Sequence, residues 1–508
     1  MSQVHRSIFF SAVERYGSLF FFLLSTAILA RLLTPEEFGT YAVINAVTVI
    51  VAASFQEFGG ANYLIQKQNL SERNIRTAFT ITLLLSTAVG IVLFFLRDIT
   101  AAFFAQDGMR IGIAVSVLNF LVWPFSITIA ALFRRDLAFG ALAACNLAGN
   151  FATAAISIAL ALMQFSYMAP VWGTLAGNAI AALLLVRERK NVRIFLPSFA
   201  GYRDVVGFGL YSGGVVIINV FYNLAPQLTI ARVMDFTAVG LYSRAVTLTQ
   251  TFDKLVIQVL SPVIMPAIFA QTKAGGDLKR IYLDAIELLT AVHWPFLLVI
   301  AIMAHPLILV WLGPTWIDIV PLVRLLCIGY LALFAACLSY PVLVAVGSVR
   351  DALLSSLISL PPSLLLIFAA SFYGVEAVAA SALVTLPFQA FVAIYFISRH
   401  LAFGPADVFR AVRKSAVVAL FTSTAAVVIA LLIHGGVIGS LAGLICVGVC
   451  AAGSWFAGLA VTNHPLLAHV RSAISELLSA VPPILPVRNQ PAGGPTDELP
   501  HTFRRKSF

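Results

Sequence analysis

Long apolar runs separated by short polar connections fill most of this chain. Because a helix needs about 20 apolar residues to cross the hydrocarbon core of a bilayer, each run is long enough to span a membrane. The runs do not alternate between apolar and polar positions, which excludes a transmembrane barrel. The pattern predicts an all-α polytopic membrane protein with about fourteen transmembrane helices, over 8–33, 38–60, 77–96, 111–133, 141–163, 168–186, 205–231, 238–268, 283–311, 320–346, 352–372, 375–397, 412–433 and 437–461.

A spaced signature of four residues occurs twice, each time where one apolar run ends and the next begins. The second copy follows the first by 201 positions, and the two copies are Ala30-Arg31, seven residues, Gly39-x-Tyr41, and Ala231-Arg232, seven residues, Gly240-x-Tyr242. Such duplication within a membrane-spanning chain predicts two structurally related halves. In transporters built this way, the substrate site lies between the repeats.

The repeat predicts two pseudo-symmetric lobes of six helices each. Six spans separate the copies, so both lobes enter the membrane in the same direction and are expected to be related by an axis along the membrane normal. Two further helices lie outside the duplication, and after them apolar residues recur at helical spacing, which is typical of a helix lying in the interface. The predicted parts are the first lobe (1–190), a cytoplasmic linker (191–204), the second lobe (205–397), an extra helix pair (412–461), an interfacial helix (464–481) and a disordered tail (482–508).

Charge and composition fit this arrangement. The chain is 60% hydrophobic and 11% charged, with a mean hydropathy of +0.96. Lys and Arg concentrate in alternate connections, which places both termini on the cytoplasmic side. This asymmetry accounts for the net charge of +10, so nucleic-acid binding is not needed to explain it. The first run is too long for a signal peptide and contains Glu14-Arg15, so it is expected to remain as a span.

Several short motifs have structural interpretations. Thr34-Pro35-Glu36-Glu37 is a capping box that predicts the start of a helix. The pairs Gly173-x3-Gly177, Gly439-x3-Gly443 and Gly209-x3-Gly213 have the spacing of close helix contacts.

No P-loop, HExxH motif or paired metal carboxylate is found in the sequence, and the connections are short. The five cysteines fall inside predicted spans, which argues against a disulfide framework. No metal or cofactor is therefore expected, and catalysis is the minority hypothesis.

Charged residues within spans need a polar cavity or a buried partner, since a charge at the bilayer centre costs about 2.5–3.5 kcal/mol. Span 238–268 contains Arg244, Asp253 and Lys254, whereas the first-lobe positions 201 residues earlier are Val43, Ala52 and Ala53. The second lobe has thus gained cations. The other candidates are Glu14, Arg15, Glu57, Glu287 and Arg324.

Simpler explanations of these charges stay open. Asp253 can neutralise a neighbouring cation, Arg15 and Arg324 lie near enough to span ends to reach the headgroups, and Glu57 can lie close to the inner headgroups.

The segment from Ala30 to Tyr41 resembles the opening motif of the bacterial polysaccharide transporters, the O-antigen and exopolysaccharide flippases. Leu64–Lys67 with the following Leu70–Glu72 and Thr77–Phe79, and then Arg134–Phe139, are similar to two further stretches of that family. The resemblance implies a two-lobed fold shared with multidrug (MATE) antiporters and the lipid II flippase. Many members have twelve helices, so the extra pair is a departure.

The resemblance also implies a function and roles for residues. The cargo is expected to be undecaprenyl-pyrophosphate-linked oligosaccharide, turned from the cytoplasmic to the periplasmic leaflet of the bacterial inner membrane by alternating access. Membrane lipids and a polysaccharide polymerase or export machinery are the expected partners. The candidates for the substrate cavity are Arg244, Lys254, Arg15, Arg31, Arg324, Tyr211 and Tyr222, and those for ion coupling are Glu14, Glu57, Asp253 and Glu287.

Two other functions remain open at this point. A multidrug or cation antiporter of the same fold is one, although it favours a carboxylate-rich cavity, and the excess here is basic. A membrane enzyme of glycan assembly is the other.

Overall fold

The computed structural model describes residues 3–56, 61–67, 69–251, 277–335, 339, 342–343 and 346–480. Over these residues the fold is helical, with three short 3-10 turns and no strand. The α-helices are α1 Gln3–Leu32, α2 Pro35–Gln56, α3 Ala61–Gln66, α4 Glu72–Phe103, α5 Gly108–Val117, α6 Asn119–Arg135, α7 Phe139–Leu162, α8 Met168–Arg189, α9 Tyr202–Val233, α10 Phe236–Thr249, α11 Leu278–Ile302, α12 Ala304–Trp311, α13 Ile319–Tyr330, α14 Val349–Ser371, α15 Val375–Leu401, α16 Pro405–His434, α17 Ser440–Val461 and α18 Pro465–Ala480. We call α1–α8 the first lobe, α9–α15 the second lobe, and α16–α17 the extra pair.

Eleven helical segments in the described ranges are long and apolar enough to cross a membrane. The all-α polytopic fold is therefore confirmed, whereas the count of fourteen spans is not. The domain boundaries drawn from the sequence stay predictions.

Two predicted spans are interrupted in the structure. The run 283–311 divides at Met303 into α11 and α12, because Pro306 has no N–H for the backbone bond that a continuous helix requires. The run 111–133 divides at Leu118 into α5 and α6. There the Asn119 side chain donates to the Ser116 carbonyl at 3.1 Å, so side-chain bonding competes with the regular ladder.

Both lobes turn from their first to their second helix at a capped corner. In the first lobe, Thr34 N–H donates to Glu37 Oε2 at 2.8 Å and Glu37 N–H donates to Thr34 Oγ1 at 3.3 Å, which confirms the predicted capping box. In the second lobe, Ala238 N–H donates to Asp235 Oδ1 at 2.7 Å. We call the end of the bundle that holds these two corners the corner end.

Small residues bring α7 and α8 into close contact. A Cβ on Gly173 would lie 2.0 Å from Ser157 Oγ, and one on Gly177 would lie 1.8 Å from Thr153 Oγ1, as the spacing predicts. The second predicted pair is only half right. Gly443 packs on Ile433, but Gly439 has no atom within 4 Å because it precedes α17 as its N-cap.

The linker between the lobes is bound to α4. Arg76 donates to the carbonyl oxygens of Leu196 and Pro197 at 3.2 and 3.1 Å. Thr77 Oγ1 donates to the Ala200 carbonyl at 3.0 Å. The chain up to Ala200 is therefore held by the first lobe.

The extra pair packs on the second lobe through α11. Ser415 on α16 donates to the Glu287 carbonyl at 3.0 Å, and Trp455 on α17 donates to the Ala291 carbonyl at 2.7 Å. Helix α18 follows the pair, as the apolar spacing predicts; its position in the interface stays a prediction. The predicted tail 482–508 lies outside the described residues.

Candidate functional site

The two lobes touch backbone to backbone at the corner end, where α2 crosses α10. A Cβ on Gly39 would lie 1.7 Å from the Phe236 carbonyl oxygen, and one on Gly240 would lie 1.9 Å from the Pro35 carbonyl oxygen. No other residue type allows this approach, so the glycines of the repeated signature form the crossing point. We call this contact region the seam.

The arginines of the signature each reach into the opposite lobe. Arg31 Nη2 donates to the Val310 carbonyl at 2.7 Å, while the Arg232 guanidinium lies 5.2 Å from the centroid of the Phe103 ring. Trp316 Nε1 in the second lobe also donates to the Ala30 carbonyl at 2.7 Å. These contacts close the seam at the corner end.

Arg244 lies buried in the same seam. Its guanidinium carbon is 4.3 Å from the centroid of Phe38, and Phe38 in turn packs edge-on against Trp316 at 5.4 Å. Arg244 Nε has no hydrogen-bond partner among the described residues. A guanidinium held by a ring face, with a donor unused, is poised to bind an anion if the lobes separate.

A cavity of about 200 Å³ lies inside the second lobe, which we call the second-lobe pocket. Neutral hydrogen-bonding groups dominate its polar lining, and none of the lining residues that the structure describes is Asp, Glu, Lys, Arg or His. The lining residues are Asn219, Tyr222, Asn223, Pro226, Tyr242, Val246, Gln250, Leu326, Tyr330, Leu333, Leu360, Ile367, Val378, Ser381, Ala382, Thr385, Leu386 and Gln389.

A smaller cavity of about 30 Å³, the first-lobe pocket, lies at the equivalent place in the first lobe. Its lining residues are Tyr41, Ile44, Asn45, Thr48, Val49, Ser116, Asn119, Trp123, Val171 and Thr174. Tyr41, Asn45 and Val49 precede Tyr242, Val246 and Gln250 by 201 positions, and Asn119, Trp123, Val171 and Thr174 precede Leu326, Tyr330, Val378 and Ser381 by 207. The tyrosine of each signature copy therefore lines the internal pocket of its own lobe.

Different side chains hold the two pockets in shape. In the second lobe, Gln250 Nε2 donates to the Tyr330 hydroxyl at 2.8 Å, and Gln389 Nε2 donates to the Tyr222 hydroxyl. In the first lobe, a bulkier Trp123 stands where the second lobe has Tyr330, and Asn178 on α8 donates across the lobe to Asn119 at 2.8 Å.

Three predicted cavity residues fall at these places. Tyr222 lines the second-lobe pocket, and Arg244 and Arg31 belong to the seam. Arg244 does not face the pocket, because it lies two residues from Tyr242 and from Val246 on α10, about 200° around the helix.

The other described candidates lie elsewhere. Glu14, next to the half-buried Arg15 on α1, accepts from Asn146 Nδ2 at 2.6 Å. Arg324 is exposed and donates to the Ala301 carbonyl at 3.3 Å. Glu287 Oε1 lies 3.8 Å from Lys414 Nζ of the extra pair. Their proposed roles in binding or coupling stay predictions.

Four candidates cannot be placed in this way. Glu57, Asp253 and Lys254 lie outside the described residues, and so does the side chain of Tyr211, whose backbone belongs to α9.

Sequence reasoning from ionisable groups missed the neutral side chains of the second-lobe pocket. Asn219 and Asn223 stand one turn apart on α9, Gln250 follows α10 as its C-cap, and Gln389 lies within α15. Such isolated amides within predicted spans were the available signal, because a polar group facing lipid is unfavourable. No group of three or more His, Cys, Asp or Glu side chains suited to a metal ion occurs in the described part of the chain.

Comparison with known proteins places this geometry in context. A family profile described as polysaccharide biosynthesis protein matches residues 28–321, more than half of the chain. The lipopolysaccharide biosynthesis protein WzxC of Escherichia coli is 24% identical over 60% of this chain and 62% of its own length. The succinoglycan biosynthesis transport protein ExoT of Rhizobium meliloti is 23% identical over 64% and 66%. The chain thus aligns with somewhat under two thirds of the length of these relatives.

Solved structures share the fold. The lipid II flippase MurJ in an inward closed conformation superposes with a TM-score of 0.73, covering 91% of this chain and 100% of that one at 11% identity. An inward-facing multidrug resistance transporter of the MATE family gives a TM-score of 0.62, covering 77% and 98% at 13% identity. The fold is therefore the two-lobed arrangement of these transporters.

Proposed function

Because the chain belongs to the polysaccharide biosynthesis protein family, we propose that it flips undecaprenyl-pyrophosphate-linked oligosaccharide across the bacterial inner membrane. The cargo moves from the cytoplasmic to the periplasmic leaflet by alternating access between the lobes. In this proposal both termini lie in the cytoplasm, the corner end faces the periplasm, and the protein is a transporter without a catalytic step. A polysaccharide polymerase or export complex receives the product.

The observation that carries the mechanism is the seam. Its polar lobe-to-lobe contacts include the single hydrogen bonds from Arg31 to Val310, from Trp316 to Ala30 and from Trp311 to Leu23. The crossing of α2 and α10 is itself formed by two glycines. Contacts of this kind can separate without unfolding either lobe. The described state then has its periplasmic side closed.

Arg244 is the residue best placed to attract pyrophosphate. Opening of the seam removes Phe38 from its guanidinium and exposes the cation, which then needs a new partner. We propose that the pyrophosphate supplies it, with Lys254, Arg15 and Arg31 extending the positive path. In an ion-driven form of the same cycle, a proton or sodium ion binds Glu14, Glu57, Asp253 or Glu287 and its movement is coupled to flipping.

We propose the membrane potential as the driving force when the headgroup crosses without compensating ions. Two negative charges that move outward across an inside-negative membrane gain about 5 kcal/mol per 100 mV.

Reconstitution tests this function. Full-length protein in vesicles that carry radiolabelled undecaprenyl-pyrophosphate-linked oligosaccharide is expected to expose the sugar to an external glycosidase faster than empty vesicles do. The rate is expected to rise when a potassium diffusion potential drives the headgroup towards the corner-end side. A rate equal to that of empty vesicles contradicts the proposal.

The rival function has a distinct signature in the same vesicles. Efflux of ethidium driven by a proton or sodium gradient, without glycan movement, indicates a cation antiporter. The neutral second-lobe pocket gives such a cation no carboxylate among its lining residues.

A further inference from the structure

We propose that the second-lobe pocket is a sugar-binding subsite that recognises one neutral, hydroxyl-rich residue of the transported glycan. The inference rests on the proposed function and adds a place of glycan recognition inside one lobe, away from the arginine of the seam. It follows from the chemistry of the pocket, its mouth, and the contrast with the first lobe.

The chemistry of the lining excludes the charged part of the cargo. A pyrophosphate requires cationic or clustered N–H donors, and a metal ion prefers carboxylates. Within the described part of the chain, no lining residue has an ionised side chain. Gln250, Gln389 and Asn223 supply amides, each of which can donate and accept, and Tyr222 and Tyr330 supply hydroxyls on aromatic rings. Sugar hydroxyls also donate and accept, and sugar C–H faces pack on rings, so a sugar satisfies this set.

Polar side chains of the pocket are buried and held by hydrogen bonds. Gln389 is 9% exposed and Thr385 is 3% exposed. Gln389 Nε2 donates to the Tyr222 hydroxyl and lies 3.4 Å from Ser363 Oγ. An amide fixed by two neighbours presents its remaining oxygen in one direction, and this limits which hydroxyl pattern fits.

The mouth of the pocket lies on α9. Asn219 and Asn223 are exposed and line the pocket from successive turns of this helix. Amides are unfavourable against lipid, and α9 packs against α2 of the first lobe, so we place the opening on the side of the seam. A glycan held between the lobes can reach it from there.

The first lobe provides an internal comparison. The first-lobe pocket is built from equivalent positions but has a volume of about 30 Å³, whereas the second-lobe pocket has about 200 Å³. Trp123 of the first lobe stands at the position equivalent to Tyr330. The larger pocket with a polar lining occurs in only one of the two related lobes, which points to an occupant specific to that lobe.

Equilibrium binding tests the subsite. The two probes are undecaprenyl-pyrophosphate-linked oligosaccharide and bare undecaprenyl pyrophosphate, and the affinity of full-length protein in nanodiscs is measured for each. Wild-type protein is expected to bind the sugar-bearing probe at least about tenfold more tightly, as a few neutral hydrogen bonds would produce.

Two variants and one matched control assign that preference to the pocket. Thr385→Val and Gln389→Leu are each expected to reduce the preference about three- to tenfold while the affinity for the bare probe is unchanged, which also shows that the variants are folded. Thr174→Val is the control: the same exchange in the first-lobe pocket is expected to keep the preference.

The outcomes are separable. If wild-type protein binds neither probe, the proposed function fails. If it binds both equally, if the two variants keep the preference, or if Thr174→Val abolishes it to the same extent, the subsite is wrong. A thermal stabilisation by NaCl over choline chloride that Thr385→Val removes identifies an alkali-cation site and also overturns the sugar assignment.

Discussion

The two lobes contribute matching residues to the seam, but their internal pockets differ. At the corner end their contributions mirror each other: Gly39 opposes Gly240, and Arg31 and Arg232 each cross to the other side. Inside, the first-lobe pocket measures about 30 Å³ and the second-lobe pocket about 200 Å³. The duplicated halves thus share the residues of the contact between the lobes and differ in the pocket inside each lobe.

Symmetry of the seam predicts the largest effect. Gly39→Ala and Gly240→Ala each place a methyl group within 2 Å of a backbone carbonyl, so both are expected to prevent closure and to lower flipping by at least about tenfold. Glycosidase exposure of the labelled glycan in vesicles measures this. Gly453→Ala in α17, which has no atom within 4 Å, is the matched control and is expected to retain wild-type flipping. Unequal losses for the two seam variants contradict a symmetric crossing.

Asymmetry of the interiors predicts the next effect. Tyr330→Trp copies the first-lobe residue into the second lobe, fills the pocket and removes the bond from Gln250, so flipping is expected to fall about tenfold. The reverse exchange, Trp123→Tyr, enlarges a pocket with no proposed role and is expected to change flipping less than about twofold. The same vesicle assay, normalised to reconstituted protein, compares them. A larger loss from Trp123→Tyr reverses our assignment of the two pockets.

The cation gained by the second lobe predicts a smaller effect. Arg244 stands where the first lobe has Val43, and Arg244→Gln is expected to reduce flipping about fivefold, as loss of one partly screened phosphate contact does. Protein abundance is expected to be normal, because the guanidinium has an unused donor in the closed state. Arg244→Lys is expected to recover part of the rate. Unchanged flipping in Arg244→Gln removes this residue from the anion path.

The extra pair docks on the second lobe through α11, and its junction with α18 predicts the smallest effect. His464, between α17 and α18, lies buried near Ser415 and Glu287, and burial together with the Lys414 ammonium lowers its pKa to about 4. Since the unfolded histidine has a pKa near 6.5, the unfolded state binds the proton more readily between those values. Stability is therefore expected to fall as the pH drops from 7 towards 4.

Thermal unfolding at pH 7.5 and pH 5 measures this loss. A decrease of about 3 °C in Tm is expected for the wild type, and His464→Gln is expected to show a smaller difference between the two pH values. An equal difference in the variant shows that another group is responsible.

Local features of the fold could be predicted from the sequence because local residues determine them. Thr34 and Glu37 cap their helix through bonds three positions apart, and Gly173 with Gly177 marks a close helix pair. The repeat also indicated two related lobes. The break at Met303 could not be found from hydropathy, because the residues on both sides are equally apolar.

The candidate site was harder to predict for a physical reason. Charged residues in a span attract notice because their burial is costly, so Arg244 could be identified, whereas the neutral Gln250 and Gln389 give a weaker signal. Contacts such as Gly39 with Phe236 join residues some 200 positions apart, and only the folded arrangement of the lobes brings them together.

The binding of the linker to α4 determines where relative movement can start. Arg76 and Thr77 hold the backbone through Ala200, and the next residue, Gly201, has a φ of 75°, which favours glycine. In the proposed cycle, the first lobe and its linker are therefore expected to move together, with Gly201 at the start of α9 as the hinge. A crosslink that bridges this glycine would arrest the rocking of the lobes while leaving every cargo-binding group untouched.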